Sequence, residues 1–270
     1  MSRGSRLALV ILAVVLMLAP AAALHPVVAH LYAAGLSNLW TELTHPPVLV
    51  VLLIAMASVL PATGFIEAMV RAGRGMPHLQ ALMRNSQPGR METFDYRVLP
   101  SDAVLVFTAG LFRPVTFVSA GAERALGAAG LRAALLHEEA HRRSQDVMWR
   151  LLLRAIGRGF AFVPWINGMV ESETLRTECA ADDYAIRGGA RRLDLFEAIV
   201  AVLPPPDTSM AVGLTDADVE LRLTRLVHPD LPLPGRPARS LLALAVVVAL
   251  PTVAAHAVAI SAVAGTSHLM

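Results

Sequence analysis

Leu135-Leu136-His137-Glu138-Glu139-Ala140-His141 is the stretch from which the rest of the chain can be read. It belongs to an apolar run with helical spacing. Residues four apart stack on one face of a helix, so His137 and His141 present their imidazoles to a common point. Two imidazoles so placed can bind one Zn²⁺ at about 2.0–2.1 Å. Such an ion lowers the pKa of its water from about 15.7 toward roughly 7, and Glu138 stands where a carboxylate can take that proton and later pass it to a leaving amine. The stretch therefore points to peptide hydrolysis.

A third protein ligand is needed. Arg142 to Asp146 hold no Gly and no third His at the metzincin spacing, which excludes a three-His site. A carboxylate from a second helix is the remaining common solution. Met169 to Arg187 lack Pro and Gly and are followed by Gly188-Gly189, a helix stop. There Glu178 and Asp182 share a face, so Glu178 is expected to ligate and Asp182 to accept the ring N–H of a ligand histidine. Glu171 and Glu173 are rival ligands with no carboxylate four residues on. The helix bearing His137 is expected to start between Ala128 and Leu131 and to run to about Ile156, with Leu131, Ala134, Met148 and Leu152 facing inward.

Farther along, Thr215 and Asp218 resemble a capping box that opens a helix through Glu220, Leu221, Leu223 and Leu226. Arg222 and Arg225 on it are candidate oxyanion donors, with a solvated or phospholipid-facing position as the plainer alternative. His228 is a further candidate donor. Upstream, Val104 to Thr108 and Val115 to Ser119 are β-branched and aromatic runs that read as a hairpin or strand pair. A strand left at the sheet edge near the zinc could take an extended substrate through main-chain hydrogen bonds, with a purely structural hairpin as the equal alternative.

The chain has 270 residues, 55% of them hydrophobic, and a positive mean hydropathy. That is too apolar for an ordinary soluble enzyme, and membrane spans are expected at Leu7 to Leu24, Pro47 to Ile66 and Leu241 to Ala264. A charge at the centre of a span costs about 2.5–3.5 kcal/mol, and these stretches hold no Asp, Glu, Lys or Arg at theirs. The first span also has the layout of a cleaved signal peptide. Arg3 and Arg6 precede it and Arg71, Arg74, Arg84, Arg90 and Arg97 follow the second, so the positive-inside rule turns the zinc site to the cytoplasm. Cys179 is the only cysteine, which rules out an intrachain disulfide and suits a small buried residue. The net charge of +2 comes without a basic run interleaved with aromatics, so direct nucleic-acid binding is not expected.

Phe107 to Ile186 resemble the BlaR/MecR-type integral-membrane zinc metallopeptidases. The resemblance is carried by Gly110-Leu111-Phe112-Arg113-Pro114-Val115, by Leu135 to Arg143 with Asp146, and by Glu178 through Asp182. It implies His137, His141 and Glu178 as zinc ligands, Glu138 as general base, Asp182 behind a ligand and Asp146 as structural. The Glu-Cys-Ala-Ala-Asp form is similar also to the membrane peptidases of the CAAX-prenyl-protease and heat-shock type.

The fold expected is therefore an α+β membrane protein: a mainly helical gluzincin-like catalytic domain with a small hairpin or sheet, flanked by transmembrane helices. Two N-terminal spans would occupy 1–69, the cytoplasm-facing peptidase domain 70–239 and a C-terminal span 240–270. The expected function is zinc-dependent endopeptidase action on a protein or peptide substrate, with a repressor protein as the substrate that the resemblance suggests. The lipid bilayer of a bacterial-type plasma membrane is the expected surrounding. A catalytically silent zinc-binding signalling or scaffold protein is the alternative.

Overall fold

Four strands pair in the order β1-β2-β4-β3, with β1 at Gln87–Met91, β2 at Phe94–Leu99, β3 at Val106–Ala109 and β4 at Val115–Ser119. In this computed structural model residues 28, 32, 46–161, 164–203 and 216–232 are described, with side-chain surroundings from Thr63 on. Six helices fall among them: α1 (Pro46–Asn85), α2 (Ala120–Ser144), α3 (Asp146–Gly159), α4 (Pro164–Arg187), α5 (Arg192–Val202) and α6 (Asp216–Val227). Two compact units divide the chain. Of the described residues, one takes Arg71–Leu151 and those within Glu171–Gly235, and the other takes those up to Val70 together with those within Leu152–Val170.

In the first unit the expected strand pair forms: β3 and β4 run antiparallel with Phe107 opposite Phe117, their rings stacked 5.4 Å apart. β4 also pairs parallel with β2, so it is an interior strand, and Phe117 and Val118 are fully buried. β3 is left at the edge. Ser119 ends β4 and caps α2 by accepting from the Ala122 N–H at 3.0 Å, which starts the helix well before the expected Ala128. Gly127, at φ +59°, interrupts the helix where that start was expected. Beyond it Leu131 and Leu135 close over Val118, Ala122 and Tyr96 in one core cluster. Glu123, on the first turn of α2, accepts a 2.8 Å hydrogen bond from the Tyr96 hydroxyl and ties β2 to the helix.

The helix expected to continue to Ile156 breaks. Gln145 adopts the left-handed conformation, φ 52° and ψ 39°, ending α2 at Ser144 and starting α3 at Asp146. α4 stops where Gly188-Gly189 foretold. Gly189, at φ +92°, donates to the Ile186 carbonyl and Ala190 to the Ala185 carbonyl, the paired bonds of a left-handed glycine cap. A second cluster, of Ala133, Leu136, Ala185, Ala190, Leu195 and Leu226, joins α2, α4, α5 and α6. In the other unit Gly64 lies against the Gly159 backbone, where a Cβ would come within 2.4 Å of Gly159 N, and Arg158 pairs with Glu67 at 2.7 Å.

The membrane expectation is corrected. Leu7 to Leu24, Leu241 to Ala264 and the Thr215 of the capping box lie outside the described residues. The stretch from Pro47 to Ile66 begins α1, which continues unbroken through Glu67, Arg71, Arg74 and Arg84. Among the described residues no helix is long and apolar enough to cross a membrane. The described residues form a mostly helical fold with a four-stranded sheet and hold no membrane-crossing helix, against the expectation of flanking transmembrane helices and an integral-membrane location.

Burial, and then the hydrogen bond to Glu123, push the Tyr96 phenol up to about 12. A folded-state value above the unfolded one of about 10 means stability that is complete below pH 10 and lost as pH climbs through 12. Thermal melting between pH 9 and 12 is expected to show a fall that Tyr96→Phe flattens. Equal pH slopes for the two proteins would refute the assignment.

Candidate metal centre

His137 and His141 lie on the buried face of α2, one turn apart, and Glu178 projects from α4 against both. The two Nε2 atoms are 3.0 Å apart. Glu178 Oε2 lies 3.4 Å from His137 Nε2, and Oε1 lies 3.6 Å from His141 Nε2. Donors held about 2.0–2.1 Å from a tetrahedral ion are about 3.4 Å from one another, so these separations suit a small metal. All three residues are buried, and the group could hold a metal ion.

The outer nitrogens of both rings are also held. His137 Nδ1 is 2.9 Å from Asp182 Oδ1, and His141 Nδ1 is 2.9 Å from Asp146 Oδ2. The Asp146 hydrogen bond fixes a proton on His141 Nδ1 and leaves that Nε2 lone pair turned to the common point, while Asp182 meets His137 Nδ1 as a close ion-pair contact. Asp182 thus stands where its spacing from Glu178 put it. Asp146 does more than the structural part first assigned to it. On an unbroken helix a residue five beyond His141 would point about 140° away. The left-handed turn at Gln145 brings its carboxylate back to the ring.

Two arginines complete the electrostatics. Arg222 of α6, 5% exposed, donates to Asp182 through Nε at 2.9 Å and Nη2 at 2.8 Å, and its Nη1 lies 2.8 Å from Glu178 Oε2. Arg150 of α3 donates to Glu178 Oε1, and its Nη2 lies 3.4 Å from His141 Nε2. Burial alone would raise the Glu178 and Asp182 carboxyls. Arg150, His137 and Arg222 outweigh it for Glu178 and hold it well below the usual carboxylate range, while His137 and Arg222 lower Asp182. Burial likewise disfavours a charged His137, yet its contacts with Asp182 and Glu178 win and raise it to about 9.

The remaining candidates fall elsewhere. Glu171 is exposed. Glu173 is buried outside the ligand group, its carboxylate 3.5 Å from Arg176 and its pKa raised by burial. Arg225 reaches Asp183 at 3.5 Å, and His228 is exposed just past α6. Cys179 is fully buried, as a small core residue should be, and burial pushes its thiol up. Arg222, expected at the surface, was recoverable from its own helix: it is four residues before Leu226, and both are 5% exposed. Arg150 was recoverable only from its i,i+4 spacing to Asp146.

Asp146→Asn and Asp182→Asn are each expected to weaken metal binding about 10–100-fold, because each loosens one imidazole without removing a ligand. His137→Ala and His141→Ala should abolish tight binding altogether. Competition against a chromogenic chelator measures both, and unaltered affinity in Asp146→Asn would exclude its role at His141. No family model matches this chain, and neither a curated protein nor a solved structure does.

Proposed function

We propose that the protein is a zinc-dependent endopeptidase that hydrolyses a protein or peptide chain. The observation that carries this reading is the convergence of His137, His141 and Glu178 with Glu138 left over. Two imidazoles and one carboxylate are the donor set of hydrolytic zinc sites, and three protein ligands leave a position for a reactant. A purely structural zinc normally has four protein ligands, and the group among the described residues has three. When bound, the metal supplies Lewis acidity, polarising a carbonyl and acidifying water.

The side chains divide the remaining work. Asp146 keeps a proton on His141 Nδ1 and Asp182 faces His137 Nδ1, so that both rings can offer their Nε2 lone pairs. Glu139 is consumed by Arg142 and Arg143, with bonds of 2.6–2.8 Å. Glu138, half-buried next to it, has no ion-pair partner among the described residues. Its carboxylate is therefore free to accept a proton from the attacking water and hand it to the departing amine. β3 supplies a place for the substrate main chain. It is an edge strand, and the Thr108 hydroxyl meets the Glu138 carbonyl at 3.5 Å, so a peptide extended along it would run past the base.

Purified wild type and Glu138→Gln are both expected to retain zinc, with cleavage of a casein-type reporter falling about 10²–10⁴-fold in the variant. Zinc in both proteins with cleavage in neither would overturn the peptidase reading.

A further inference from the structure

The two arginines that reach Glu178 are not equivalent. Arg222 has its Nε, Nη1 and Nη2 all committed to Asp182 and Glu178, and its side chain is only 6% exposed. Held at three nitrogens, it is not free to turn. Arg150 keeps its side chain 29% exposed, so it reaches the ligand group from the side that solvent can enter. Only its Nη2 is engaged, by Glu178 Oε1 with His141 Nε2 3.4 Å off, while its Nε is buried without a hydrogen-bond partner. An unpaired buried donor of a cation is rare in folded proteins and calls for an acceptor. The position is built by the helix break at Gln145. Arg150 follows Asp146 by four residues on α3, so the turn at Gln145 that aims Asp146 at His141 aims Arg150 along the same face.

We propose that Arg150 binds the substrate oxygen at this centre, receiving the scissile carbonyl as it becomes an oxyanion. Were Glu178 to ligate a cation, its hold on the guanidinium would weaken, with Nη2 and the unpaired Nε available as two donors to one oxygen. The planar fork suits that geometry and always carries its charge. This assignment rests on the peptidase reading for the identity of the oxygen, but not for its chemistry: any anionic oxygen entering beside Glu178 meets the same two donors.

Acetate is the probe, titrated into the Co²⁺-loaded protein while the visible band of the metal is followed. Wild type is expected to respond. Arg150→Met is expected to hold cobalt equally but to bind acetate at least ten-fold more weakly, with Arg150→Lys between the two. With the peptide reporter, Arg150→Met should lose about 10²–10³ in kcat with a smaller change in KM. Equal acetate affinity in wild type and Arg150→Met, or cobalt lost from Arg150→Met, overturns the proposal; the second result would make Arg150 a holder of Glu178 only. Unchanged peptide cleavage in the variant overturns it while the peptidase reading stands. An Arg150-dependent acetate response in a wild type that cleaves no peptide upholds it and removes the peptidase reading instead.

Discussion

Two carboxylates, Glu178 at 4% exposure and Asp182 at 3%, remain ionised almost out of reach of water, and the guanidinium of Arg222 lies between them. Burying a charge costs several kcal/mol even after relaxation, so neither acid could be kept there as an anion alone. Two charge-assisted hydrogen bonds to Asp182, each contributing about 1.5–3 kcal/mol, and an ion pair with Glu178 offset that cost. The consequence reaches beyond the pair. The arginine belongs to α6 and the acids to α4, so the ligand face of α4 is complete only with α6 docked, and Leu226 in the shared apolar cluster is what docks it. Folding and the readiness of the site are in this sense one event.

The second constraint is the interrupted helix. A continuous helix from Ala120 to Gly159 would carry both histidines and two useful residues, Asp146 and Arg150, on different faces. One left-handed residue, Gln145, reorients everything after Ser144 and gathers all four around one point. Glutamine pays a conformational penalty there that glycine would not. The two backbone bonds that its N–H makes, to Arg142 and His141, help to hold it.

Much of this was legible in the amino-acid sequence because short-range geometry sets it. The i,i+4 spacing of His137 and His141, the same spacing of Glu178 and Asp182, the glycine stop after Arg187 and the strand pair ahead of α2 all depend on neighbours in the chain. What escaped depends on distant neighbours or on exceptions to propensity. No local signal marks Gln145 as left-handed, so Asp146 read as merely structural. Arg222 is 40 residues from Asp182, and only the apolar company of Leu226 hinted that it was buried. The transmembrane expectation erred for another reason. It was read from hydropathy over Pro47 to Ile66 alone, a stretch that folds as the first part of the 40-residue α1, and among the described residues no helix is long and apolar enough to cross a membrane.

β3 has a further implication of its own. Val106-Phe107-Thr108-Ala109 is an uncharged strand whose outer backbone groups meet no other described strand. Such an edge does not distinguish a guest peptide from the same strand of another molecule, and self-pairing there is the first step of aggregation. Brevity is the protection: four residues give a short ladder, and Arg113 with its charge stands exposed in the loop at one end. The edge is long enough to hold a passing strand and too short to found a fibril.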